Sequence, residues 1–162
     1  MKYLNKSQGM TLVEVVVATA IILAFVLALA GVLNTFVRSS LDDNFVTEGA
    51  YLAEEGIEAM KLIRDQGWTA KIAPLAATST YYLYYAGGTW TTTTTPALVD
   101  NTFTRTITVA AVNRDSNSGD IVTSGGTLDT NTKLITSTIS WLYHAATTTR
   151  SVSTYITNLN SD

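Results

Sequence analysis

The sequence predicts an α+β protein: a long N-terminal helix, membrane-spanning in its first half, packed through its second half on a C-terminal head of antiparallel β-sheet. Three observations predict it. Between Val15 and Leu33 the only polar side chain is Thr19, and a run of that length crosses a hydrocarbon core of ~30 Å as a helix. Beyond the run, Leu41, Phe45, Leu52, Ala59 or Met60, and Ile63 recur at helical spacing. From Phe103 onward apolar and hydroxyl side chains alternate instead, the period of strands with one buried face.

The first element is a short leader in which Lys2 and Lys6 are the charged residues and Gly9 the last. Met10-Thr11-Leu12-Val13-Glu14 follows and opens the apolar run. Glu14 is the one ionisable residue at its head. A lone carboxylate in a bilayer costs on the order of 3 kcal/mol, so it calls for a function and a partner. Two readings rest on these residues alone. One is an uncut signal-anchor in which Glu14 snorkels to the headgroups. The other is a secretory signal peptide with Lys2 and Lys6 as its n-region, cut after Ala28-Leu29-Ala30 and before Gly31. Against the second, the run is longer than a usual h-region, and Glu14 is out of place in one.

Taken together, basic leader, Gly9, Met-Thr-Leu-Val-Glu and apolar run resemble the N-terminus of type IV prepilins and the related pseudopilins. The resemblance covers the first third of the chain and implies a pilin-like fold. It implies that a membrane peptidase cuts between Gly9 and Met10, that Met10 becomes the N-methylated terminus, and that Glu14 is a filament-assembly determinant. Met10 is a mild departure, since the common residue after the cut is Phe. The implied function is a structural subunit of a type IV pilus-like filament. Its implied partners are the prepilin peptidase, the assembly platform in the inner membrane, the membrane itself, and other pilin subunits, self or sibling. A minor pilin or a pseudopilin of a type II secretion or DNA-uptake system is the alternative within the family. A membrane-anchored surface binding domain that never polymerises is the rival from another class.

Lys2 and Lys6 precede the run without an acidic neighbour, whereas Arg38 is followed by Asp42 and Asp43. The positive-inside rule therefore puts the N-terminus in the cytoplasm and the bulk of the chain outside, on an extracellular pilus or a periplasmic pseudopilus after assembly. The expected divisions are a leader over 1–9, a membrane and filament-core half-helix over 10–36, a head-packing half-helix over 37–66 and the head over 67–162. A helix from Met10 to Arg64 is roughly 80 Å long at 1.5 Å per residue. Gly49 and Gly56 fall near its apolar stripe and suit close approach to a sheet. Asp42, Asp43, Glu54, Glu55, Glu58, Lys61 and Arg64 form the opposite, solvated side. Asp65-Gln66-Gly67 ends the helix. Gly31 and Asn34-Thr35 either soften the helix on assembly or simply pack against neighbouring helices.

Trp68 to Thr80 is expected to be a connecting segment. Thr80-Tyr81-Tyr82-Leu83-Tyr84-Tyr85 reads as a strand, and Gly87-Gly88 as a tight hairpin into Thr89-Trp90-Thr91-Thr92-Thr93. The tyrosines fit a half-buried strand, or an adhesive or stacking surface. The Thr run from Thr91 to Thr95 fits an exposed strand, or an acceptor of O-linked glycans. Phe103, Ile107, Val109 and Ala111 then define one apolar side; Ile135, Ile139, Trp141 and Tyr143 a second; Val152 and Ile156 a third. Arg105 and Ser137 break the pattern. Arg105 is expected to reach solvent from its strand end, and Ser137 to be buried with a partner for its hydroxyl.

The composition excludes several functions. A formal net charge of −3 leaves no basic footprint, so no nucleic-acid partner is expected. With no cysteine there is neither a disulfide nor a thiolate metal site. His144 is the only histidine and sits at an expected hairpin tip, so no His-based triad can be built. No phosphate-cradling glycine loop is present, and an enzyme is not expected. Asn113 to Asp120 spaces oxygen ligands as a calcium loop does, with Asp115, Asn117 and Asp120 as the weak candidate ligands. It lacks a downstream Glu in register, and an Asx-rich turn is the competing reading.

Overall fold

The computed structural model describes residues 10–143 and 145–159. Helix α1 spans Leu12–Asp65 and a four-residue helix, α2, spans Trp68–Lys71. Strands follow as β1 (Thr80–Ala86), β2 (Thr89–Thr93), β3 (Leu98–Val99), β4 (Phe103–Arg114), β5 (Ile121–Val122), β6 (Thr127–Tyr143) and β7 (Ala146–Thr157). The chain divides into two compact units at Asn44 and Phe45, within α1.

In the first unit the apolar side chains of α1 are exposed all round, from Leu12 and Val13 through Phe25 and Leu27 to Phe36. Thr19, the one polar side chain in the run, closes its hydroxyl onto its own helix at Val15 O (3.0 Å) and Val16 O (2.9 Å). Thr35 does the same to Gly31 O (3.1 Å). With the Thr19 hydroxyl satisfied internally, the stretch from Val15 to Leu33 presents no side-chain polar group that hydrocarbon would penalise.

In the second unit the rest of α1 packs on an antiparallel sheet of order β2-β1-β4-β6-β7, with β3 and β5 also paired to β4. The helix buries Gly49, Ala53, Gly56, Met60 and Ile63, one stripe at three- and four-residue spacing. Two apolar clusters result. The larger joins Ile57, Met60 and Ile63 to Ile107, Val109, Ile135 and Ile156. The smaller joins Ala53 to Phe103, Ile139 and Trp141, with Phe45 packed against it. The two expected glycine contacts are present. A methyl group on Gly49 would stand 2.8 Å from Trp141 Cζ3, and one on Gly56 would collide with Ser137 Oγ and lie 3.1 Å from Arg105 Cδ.

Arg105 does not reach solvent. Its side chain is 4% exposed because α1 turns Glu55 toward it. Its Nη1 donates to Glu55 Oε2 (2.5 Å) and to Leu52 O (3.2 Å), and its guanidinium lies 5.2 Å from the Trp90 ring centre. Glu55 is thus a partner of the sheet as well as part of the solvated side. Ser137 is fully buried, but its hydroxyl has no partner, and neither has Arg105 Nε. The space Gly56 leaves is filled by the Ser137 side chain itself. Arg105, with its partner Glu55, and Ser137 form a polar seam between the two apolar clusters.

Ala111 is exposed and Val112 buried, against expectation, because the β4–β6 register shifts between them. A bulge of this kind moves every later side chain to the other face. The segment from Trp68 is also more than a connection: α2 carries Trp68 into the core, followed by Ile72 and Leu75. The Gly87-Gly88 turn has φ of 61° and 82°, the two left-handed residues a tight hairpin needs.

Gly56→Ala is expected to lower the melting temperature of the head, since overpacking costs typically ~1–3 kcal/mol and the helix-propensity gain returns only about 1. Gly31→Ala, where a Cβ meets nothing within 4 Å, should leave it unchanged. Thermal melts of the two variants beside wild type check the pair; equal melting would mean Ser137 and Arg105 yield freely.

Candidate functional site

The candidate site is the N-terminal end of α1. Thr11 precedes the first helical residue, Leu12, and its carbonyl accepts the first helical hydrogen bond from Val15 N–H (3.2 Å). Glu14 N–H donates to Thr11 Oγ1 (3.3 Å), and Thr11 N–H donates to Glu14 Oε2 (3.4 Å). This is a reciprocal capping box, satisfying two backbone donors that a helix start leaves orphaned. Glu14 also places negative charge at the positive end of the helix dipole. Thr11-Leu12-Val13-Glu14 spells the capping signature, and sequence reasoning missed it.

Both bonds are long and Glu14 is exposed. A single backbone donor at 3.4 Å offsets little of a carboxylate's desolvation, so in an apolar setting Glu14 still calls for a cation. Met10 lies beside this cap, 68% exposed. Gly9, Lys2 and Lys6 lie outside the described residues, as does His144. Among the described residues α1 is the one helix long and apolar enough to cross a membrane, and none of its most apolar stretch is buried within the chain.

The candidate calcium loop is held by its own hydrogen bonds. Asp115 Oδ1 accepts from Asn117 N–H (2.8 Å) and Ser118 N–H (2.9 Å), and Asp120 N–H donates to Ser118 Oγ (3.2 Å). The Ser118 and Asn117 amides hold the Asp115 carboxyl below the usual carboxylate range. Arg114 reaches across to Gly119 O (2.9 Å). These are the bonds of an Asx turn. Among the described residues no group of three or more His, Cys, Asp or Glu is placed to hold a metal ion.

Arg114 also bonds Asp129 Oδ2 through Nε (2.7 Å). The guanidinium, aided by Thr132, holds the Asp129 carboxyl below its ordinary value. A carboxyl depressed in the folded state stabilises above its unfolded value, and the contribution is lost as pH falls through the folded one. Asp129→Asn should therefore cost up to about 1 kcal/mol at neutral pH, limited by the exposure of Arg114. The gap to wild type should close as pH falls below about 4, which melts at a series of pH values would read.

Residues 4–30 match the family described as the prokaryotic N-terminal methylation motif. No curated protein and no solved structure matches the chain. The match begins ahead of the described residues, covers the capped start of α1 and runs into its apolar stretch as far as Ala30. The chain carries a prepilin-type N-terminal methylation motif at the head of a pilin-like helix-and-sheet architecture.

Proposed function

We propose that the chain is made as a membrane prepilin, cleaved between Gly9 and Met10, N-methylated at Met10 and polymerised through its N-terminal helix into a type IV pilus-like filament. The observation that carries this reading is the motif over residues 4–30 leading into a helix whose apolar side chains have no cover within the chain. An exposed apolar surface of that extent needs lipid before assembly and neighbouring helices after it. The partners are the prepilin peptidase, the inner-membrane assembly platform, and sibling or identical subunits. Residues 10–36 serve as membrane anchor and then filament core, 37–66 are the head-bearing half of the helix, packed on the sheet from Phe45 on, and 67–162 form the head. The two leader lysines keep the N-terminus cytoplasmic.

Cleavage releases an amine at Met10, about one helical turn from Glu14. Staggered neighbours bring the amine of one subunit to the Glu14 carboxylate of the next. Each charge is costly alone in a low-dielectric core, so pairing both recruits a subunit and sets its axial register.

Shearing surface filaments from cells and measuring this chain in them tests the reading. A principal component is the expected result. Traces would make it a minor pilin or a pseudopilin of a secretion or DNA-uptake system. Absence from filaments, with the chain intact in the membrane, would make it an anchored surface domain.

A further inference from the structure

Where the β1–β2 hairpin overhangs the end of α1, a cleft of ≈ 450 Å³ opens between Leu62, Asp65 and Gln66 on one side and Tyr85 and Trp90 on the other. That volume lies within the range of small-molecule sites. We propose that this cleft binds a neutral saccharide, stacked on Tyr85 and Trp90 and hydrogen-bonded by Asp65 and Gln66. The inference stands apart from filament formation and uses none of the N-terminal residues.

The aromatic wall is built before any ligand arrives. Tyr85 and Trp90 face each other across the hairpin, ring centres 5.4 Å apart and inclined at 61°. Trp90 is held from behind by the buried Arg105 guanidinium, and its carbonyl accepts from Gln66 Nε2 (3.3 Å). Tyr85 is 61% exposed and Trp90 is partly buried, so one residue is largely open to solvent while the other is held. Aromatic faces take up the C–H face of a sugar ring by dispersion and apolar burial.

The polar wall selects for neutrality. Arg64 places both Nε and Nη2 on Asp65 Oδ1, each at 2.8 Å, which neutralises the carboxylate and leaves Oδ2 to accept from a ligand hydroxyl. Gln66 has its second amide hydrogen and its oxygen for others. An ionic ligand finds no unpaired opposite charge here, because Asp65 is engaged by Arg64 and Arg105 by Glu55. A polyhydroxylated neutral ring fits both walls.

Of the three tryptophans, Trp68 and Trp141 are buried and Trp90 is half-exposed, so acrylamide quenching of fluorescence reports chiefly on the cleft. The experiment uses the full mature chain in phospholipid nanodiscs, which carry no sugar headgroups. The probes are maltose, cellobiose, lactose and diacetylchitobiose, with choline as the cation. At least one disaccharide should protect against quenching in a saturable way. Tyr85→Ala should raise its half-saturation about tenfold while the head keeps a cooperative melting transition. No protection by any of the four, protection by choline, or wild-type protection in Tyr85→Ala would each overturn the proposal.

Discussion

Glu14→Gln is expected to insert, be cleaved and fold its head normally, yet to reach sheared filaments at no more than about a tenth of the wild-type yield. The substitution separates the cap that Glu14 forms from the assembly role proposed for it. Glu14 Oε2 accepts from Thr11 N–H in the capping box, and a glutamine oxygen does this equally well. Only the charge is removed. Losing one partner of a buried ion pair typically costs ~3–5 kcal/mol, because the other charge stays uncompensated. Losing a cap costs about 1 kcal/mol. Thr11→Ala, which breaks the box and keeps the charge, should therefore assemble nearly as wild type. Glu14→Asp keeps the charge with a shorter reach and should fall between. If instead Thr11→Ala fails and Glu14→Gln assembles, the cap and not the charge is what assembly needs.

The second large effect lies in the head. Glu55→Ala should destabilise it by about 2–3 kcal/mol, less than a fully buried pair because the Glu55 side chain is 47% exposed. The cost comes from Arg105, left 4% exposed with Leu52 O and the Trp90 ring as its remaining partners. Arg105→Met should cost far less. It removes the charge and the unpartnered Nε together and keeps much of the side-chain volume. In the Arg105→Met background Glu55→Ala should then be nearly silent. Denaturant or thermal melts of the four chains give the coupling directly. Additive costs would mean that water already screens the pair.

The apolar pattern made most of this architecture legible. The stripe ending at Ile63 and the long strands β4, β6 and β7 follow from periods of 3.6 and 2, the apolar run from its unbroken length and the hairpin from Gly87-Gly88. Gly49 and Gly56 were readable as points of close approach because they lie on the helix stripe, and Trp141 and Ser137 meet them there. What escaped depends on which strand faces which helix turn. Arg105 looks solvent-bound along its own strand, and only the packing of α1 brings Glu55 to it. Ala111 and Val112 exchange faces through a bulge that leaves no local mark. Trp68 sits among residues that look like a linker, yet it enters the core. The cap at Thr11 and Glu14 was legible as T-x-x-E, but the same Glu14 already carries the assembly role that the prepilin resemblance implies.

The most direct test of the account is the intact mass and N-terminal sequence of the protein recovered from membranes of cells with an active prepilin peptidase. A chain beginning at N-methylated Met10, with residues 1–9 removed, is the expected result. A chain beginning at Gly31 would make the apolar run a signal peptide, and an unprocessed Met1 would make it a plain membrane anchor. Either would remove the Met10 amine on which the pairing with Glu14 depends.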